Sequence, residues 1–114
     1  MSVPTENADF LVGSDAFNFI NGLGGNDIIF GKGGDDLLLG GEGDDVLVGG
    51  SGGDTLNGGN GFDTANYNDL GIAVSVDLNA GTATRKISSS ITETDHLTSI
   101  EGATGGSGDD TMTG

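Results

Sequence analysis

The chain contains no cysteine and no tryptophan, one proline, one histidine and only three Lys or Arg residues among 114. Without cysteine there are no disulfides and no thiolate metal sites, although this alone says nothing about compartment. A single histidine leaves zinc, copper and iron poorly supplied with ligands. One proline beside 24 glycines excludes a collagen-type G-X-Y chain. The few bases stand against 18 acids, for a formal net charge of −15. Such a surface repels nucleic-acid phosphate and anionic lipid, so neither nucleic acid nor a membrane is expected as a partner. No apolar run approaches the length of a membrane span. The opening MSVPTENADF lacks the basic and apolar regions of a secretory signal. There is no H-E-x-x-H, no phosphate-binding loop and no Ser-His-Asp arrangement, so no catalytic residue is assigned and no enzyme is expected.

What remains is glycine, aspartate and regularly spaced aliphatic residues. Laid on itself, the chain repeats every nine residues. Residues 40–48 read GGEGDDVLV, 49–57 GGSGGDTLN and 58–66 GGNGFDTAN. Upstream lie GLGGNDIIF at 22–30 and GKGGDDLLL at 31–39, and the pattern decays through GSDAFNFIN (13–21) and PTENADFLV (4–12). A glycine-rich linker has no reason to place Asp and Leu two residues apart at this period.

Each repeat has two parts. Six glycine-rich residues can take left-handed backbone conformations and turn carbonyls toward one point. Three residues then read as a short strand, whose middle position, the eighth, is apolar throughout. Leu11, Ile20, Ile29, Leu38, Leu47, Leu56 and Ala65 therefore point the same way, into a thin core. Two repeats make one turn, so repeats i and i+2 stack in two parallel sheets. One row of loops carries Asp9, Asp27, Asp45 and Asp63; the other carries Asn18, Asp36 and Asp54. This predicts an all-β solenoid.

Stacked carboxylates oppose folding. Two charges about 5 Å apart repel by roughly 3 kcal/mol at an effective dielectric near 20. A hard divalent cation reverses that sign. Ca²⁺ accepts six to eight oxygens from carboxylates and backbone carbonyls, and the repeat supplies only such oxygens; Mg²⁺ demands a tighter octahedron and fits less well.

These nonapeptides resemble the RTX (repeats-in-toxin) family, whose repeat is written G-G-x-G-x-D-x-U-x. The likeness is close over 22–66, weak over 4–21 and close again over 105–113, GGSGDDTMT. The resemblance implies a right-handed parallel β-roll with Ca²⁺ held between stacked Gly-Asp loops two repeats apart. Asp27 with Asp45, Asp36 with Asp54, and Asp45 with Asp63 would flank three strong sites. Asp9 with Asp27 and Asn18 with Asp36 would flank two weaker ones, since Asn18 brings no charge and its loop has Ala16 where glycine is usual. Carbonyls would come from Gly22, Gly24, Gly31, Gly33, Gly40, Gly41, Gly43, Gly49, Gly50, Gly52, Gly58, Gly59 and Gly61. Asp110 belongs to a resumed repeat and needs a further loop to share an ion. The fifth-position acids Asp35 and Asp44 are expected to face solvent.

The chain thus divides into degenerate repeats (1–21), regular repeats (22–66), a non-repeat β segment that caps or continues the roll (67–104) and a resumed, truncated repeat (105–114). In the third part Val74, Val76 and Leu78 alternate as in a half-buried strand, Asn79-Ala80-Gly81 is a turn, Thr82–Thr84 is a second short strand and 87–94 reads as a polar loop. Leu97 and Ile100 are expected inside. His96 reads as an unspecialised loop-edge residue, and Asp69 and Asp77 are candidates for a terminal calcium site. Because the array reads as unfinished, a longer parent protein is expected. Phe10, Val12, Ile28, Phe30, Val46 and Val48 flank the inward positions of one row, an apolar face expected to meet a neighbouring domain, a second copy or the 67–104 segment.

RTX membership implies secretion, through a type I apparatus, and folding outside the cell when calcium is met. The alternatives are an accessory polysaccharide-binding module of a secreted enzyme, as in alginate-epimerase-like proteins, and a spacer in an adhesin or surface-layer protein. Only Thr55, Asn57, Thr64 and Asn66 hint at the flat ladder that ice binding needs, and Lys32, Arg85 and Lys86 form no basic patch for an anionic glycan.

Overall fold

The computed structural model describes residues 8–67, 74–86, 92–104 and 111–113. Within them the chain is all strand, with no helix. Seven three-residue strands follow the nonapeptide period: β1 (Phe10–Val12), β2 (Phe19–Asn21), β3 (Ile28–Phe30), β4 (Leu37–Leu39), β5 (Val46–Val48), β6 (Thr55–Asn57) and β7 (Thr64–Asn66). Five more follow: β8 (Val74–Asp77), β9 (Thr82–Lys86), β10 (Thr92–Thr98), β11 (Gly102–Thr104) and β12 (Thr111–Thr113).

Odd and even strands separate into two sheets, ordered β1-β3-β5-β7-β11 and β12-β8-β9-β10-β6-β4-β2. Pairing between repeats is parallel and in register, so Ile29 lies beside Leu11 and Leu47, and Leu38 beside Ile20 and Leu56. This is the parallel β-roll. Only the eighth position is apolar in every repeat, and only it is buried throughout: Leu11, Ile20, Ile29, Leu38, Leu47, Leu56 and Ala65 form one continuous core. A three-residue strand can bury one side chain; the stack, not the strand, makes the core.

The segment after β7 continues both sheets by an irregular route. β8 and β9 form an antiparallel hairpin, closed by a turn at 78–81 in which Gly81 takes φ 75°. β9 pairs antiparallel with the first part of β10, and the last part of β10 pairs parallel with β6. β11 then pairs parallel with β7. Thus β10 and β11 occupy the places of the next even and odd repeats. Val74, Val76, Ala83, Leu97 and Ile100 join the core.

Two expectations are corrected. Thr92–Thr94, read as loop, is the start of β10, because pairing with Lys86, Arg85 and Thr84 of β9 supplies the order that an apolar pattern would have signalled. In the flanking apolar face, Phe10 and Ile28 are exposed and the rings of Phe10 and Phe30 lie 5.4 Å apart, but Val48 is only 3% exposed. Val48 lies in β5, between Phe30 of β3 and the polar strand β7, and does not extend the exposed face.

Candidate metal centre

The glycine-rich loops stack as closely as the strands. At the second position of the five regular repeats the backbone is left-handed: φ is 88° at Gly41, 83° at Gly50 and 80° at Gly59, and also 71° at Leu23 and 73° at Lys32. A Cβ on Gly59 would collide with the Gly41 carbonyl of the turn below, so glycine is required there by both conformation and space. Leu23 and Lys32 take the same left-handed conformation while carrying a side chain, at the expense of strain. The fourth position is likewise left-handed, at Gly25, Gly34, Gly43, Gly52 and Gly61. In the two earliest of these repeats the residues equivalent to Gly43 are therefore Gly25 and Gly34, one position later than Gly24 and Gly33.

The sixth-position residues form two columns. The Asp9 N–H donates to Asp27 Oδ1 at 2.8 Å, the Asp27 N–H to Asp45 Oδ1 at 2.8 Å, and the Asp45 N–H to Asp63 Oδ1 at 2.9 Å. In the other column the Asn18 N–H donates to Asp36 Oδ1 and the Asp36 N–H to Asp54 Oδ1, both at 2.8 Å. Each acceptor lies two repeats, eighteen residues, after its donor. Asp27, Asp36, Asp45, Asp54 and Asp63 are all buried.

One oxygen of each carboxylate thus joins turn to turn. The other oxygen of Asp27, Asp36, Asp45 and Asp63 is buried and accepts no hydrogen bond. It faces the first-position glycine of its own repeat and a carbonyl of the next turn, that of a glycine for Asp27, Asp36 and Asp45 and that of Ser99 for Asp63. A Cβ on Gly40 would lie 2.5 Å from Asp45 Oδ2 and 2.7 Å from the Gly58 oxygen. On Gly31 it would lie 2.5 Å from Asp36 Oδ2 and 3.0 Å from the Gly49 oxygen. Gly22 has the same neighbours in Asp27 Oδ2 and the Gly40 oxygen. These are cradles of oxygen that a side chain would fill.

Burial raises the pKa of Asp45 to about 7, with Asp63 and Asp27 adding like-charge repulsion. Burial also raises Asp27, Asp36 and Asp63 above the ordinary carboxylate value; repulsion from Asp9, Asp35, and Glu101 with Asp44, respectively, adds to it. A buried anionic oxygen without a partner is costly, and a cation is the remedy. No three acidic or histidine side chains converge among the described residues. Each interval instead offers carboxylates from two turns and backbone carbonyls, an all-oxygen set that fits the hard cation Ca²⁺ and not a thiolate- or imidazole-seeking metal.

The residues expected to contribute fall as follows. Asp9, Asp27, Asp45 and Asp63 are brought into one column, and Asn18, Asp36 and Asp54 into the other. The Asn18 side-chain oxygen accepts the Ser14 N–H at 2.7 Å, within its own loop. Asp35 and Asp44 are exposed, yet they are not idle: Asp35 Oδ1 accepts the Gly53 N–H at 2.9 Å and Asp44 Oδ1 the Phe62 N–H at 2.8 Å. Asp77 Oδ1 caps its own turn by accepting the Asn79 and Ala80 N–H groups. His96 is exposed on β10. Asp69 and Asp110 lie outside the described residues.

Sequence reading missed two members of the columns. The Asp54 N–H donates to Asp95 Oδ1 at 2.7 Å, and the Asp63 N–H to Glu101 Oε1 at 2.7 Å. Asp95 is fully buried, and its Oδ2 accepts the Tyr67 hydroxyl at 2.8 Å. The signal for Asp95 was present, since Asp95-His96-Leu97-Thr98 has the spacing of Asp54-Thr55-Leu56-Asn57.

With the columns and cradles in view, the family follows. Residues 5–38, 30–65 and 103–114 match the RTX calcium-binding nonapeptide repeat, in four copies. The chain belongs to this family, whose repeats bind calcium and whose members are typically secreted. No curated protein matches it.

Proposed function

We propose that this chain is a non-catalytic, calcium-dependent folding module of a secreted protein. The observation that carries the reading is the set of buried carboxylate oxygens on Asp27, Asp36, Asp45 and Asp63 that accept no hydrogen bond and face a carbonyl of the next turn. In this reading Asp27 with Asp45, Asp36 with Asp54, and Asp45 with Asp63 flank the three strong sites. Asp9 with Asp27 and Asn18 with Asp36 flank weaker ones, because Asn18 is neutral and Asp9 is only half-buried. Residues 22–66 hold the regular sites and 67–104 close the roll.

The ion supplies positive charge to a column of like charges. The chain's own residues do the rest: the left-handed loop positions aim carbonyls, and the carboxylate-to-amide bonds set the register. Ligands that bind only the folded state stabilise it by mass action. Folding therefore waits for calcium, which suits a chain exported unfolded, through a type I apparatus, into a calcium-rich exterior. Circular dichroism during a calcium titration tests this. The expected result is a change from coil to β with calcium and not with equal magnesium; a chain equally folded in chelator would overturn the reading.

A further inference from the structure

The odd column of carboxylates does not stop where the nonapeptides stop. Every regular interval has the same parts: a first-position glycine, the buried aspartate of its repeat, and the carbonyl of the glycine one turn on. At Gly58 the third part comes from outside the repeats. A Cβ on Gly58 would lie 2.5 Å from Asp63 Oδ2 and would collide with the Ser99 carbonyl, which stands where Gly58 stands for Gly40. Ser99 takes φ 54°, a left-handed conformation that the first-position glycine it stands for does not take. Asp63 is fully buried, and its Oδ2 accepts no hydrogen bond.

The fourth part is Glu101. Its carboxylate accepts the Asp63 N–H at 2.7 Å, as Asp63 accepts the Asp45 N–H at 2.9 Å. Between β10 and Glu101 the chain has only Ser99 and Ile100, where a regular loop has five residues before its aspartate. Glutamate's extra methylene offsets the shorter loop, while Ile100 is buried in the core.

The even column ends differently. Asp95 is the equivalent residue there, and its Oδ2 accepts a hydrogen bond from Tyr67 rather than remaining open to an ion. A phenol hydroxyl thus occupies Asp95, the counterpart of Glu101, while in the odd column Asp63 Oδ2, the Ser99 carbonyl and the Glu101 carboxylate stand together.

We propose that Asp63, the Ser99 carbonyl and Glu101 form a further calcium site, outside the nonapeptides, that fastens the β10–β11 turn to the end of the roll. The proposal rests on the calcium reading of the repeats. Glu101 is exposed, so this site opens to solvent on one side and holds its ion less tightly than the enclosed intervals.

The test is equilibrium dialysis of the full chain with calcium, with circular dichroism to verify folding. Glu101→Gln keeps an acceptor for the Asp63 N–H and removes the charge. The expected result is a folded variant that binds one ion fewer, or binds its weakest ion at least tenfold more weakly, with the other ions unchanged. An unchanged number and unchanged affinities would overturn the proposal while leaving the repeat sites standing. A wild-type chain that binds no calcium would overturn the repeat reading itself. Should Glu101→Gln not fold, Glu101→Asp keeps the charge but shortens the reach: selective loss of the weakest ion supports the site, and unchanged binding refutes it.

Discussion

Replacing Asp45 by asparagine should change stability in opposite directions with and without calcium. Asp45 is buried at the centre of its column, with Oδ1 accepting the Asp27 N–H and Oδ2 facing the Gly58 carbonyl. Asparagine keeps an acceptor of nearly the same shape, so the hydrogen bond survives, while the charge is lost. In chelator that charge is a burden. Raising a carboxyl from 3.8 to about 7 costs the ionised folded form roughly 4 kcal/mol at a pH above both values. Asp45→Asn should recover much of this and raise the folded fraction of the calcium-free chain. In saturating calcium the same carboxylate borders two intervals, and removing one partner of a buried charge pair costs about 3–5 kcal/mol. The variant should then melt earlier and need about tenfold more calcium or worse for half-folding. The folded fraction by circular dichroism in chelator, and urea titrations followed by circular dichroism in calcium, measure the two arms. Destabilisation of equal size in both would refute the argument, because it would make Asp45 a packing residue and not a charge awaiting an ion.

Four other perturbations separate the contributions. Asp27, Asp36, Asp45 and Asp63 have folded pKa values raised above 3.8, so the folded chain holds more protons than the unfolded chain between that value and about 7. In chelator stability should fall as pH rises through this window, whereas calcium, which displaces those protons, should bind more tightly; a pH titration by circular dichroism that shows no acid-induced gain in chelator would count against it. Leu23→Gly and Lys32→Gly remove left-handed strain of about 1–2 kcal/mol, less the chain entropy glycine adds, and should each raise stability in calcium by about 0.5–1 kcal/mol in thermal melts. Asp35→Ala removes the acceptor of the Gly53 N–H and should cost about 1 kcal/mol in urea titrations without changing the number of ions bound. Tyr67→Phe removes the hydroxyl that Asp95 accepts in a buried setting and should cost about 1–3 kcal/mol, again with ion number unchanged by dialysis.

The roll was legible because its period is local. Each nonapeptide carries its own glycines, Asp and inward aliphatic residue, and a constant spacing puts residues eighteen apart in contact, as with Asp27 and Asp45. The end of the roll was not legible, because the β8–β9 hairpin intervenes. The partner of Asp54 moves 41 residues away, to Asp95, and that of Asp63 moves 38 away, to Glu101. No fixed period finds such pairs, although the Asp-x-Leu of Asp95 and Leu97 left a trace. Thr92–Thr94 was opaque for a related reason: its strand character comes from pairing with β9 and not from its own side chains. The fifth-position acids show a third kind of gap. Exposure of Asp35 and Asp44 followed from their place in the loop, but their inter-turn bonds depend on how one loop stacks on the next.

The central claim is that calcium is a structural part of the roll. Amide hydrogen exchange at Asp27, Asp36 and Asp45, each of whose N–H groups donates to a carboxylate one turn on, tests it most directly. The account predicts strong protection of all three amides in calcium and rapid exchange in chelator at neutral pH. Equal protection in both conditions would contradict it.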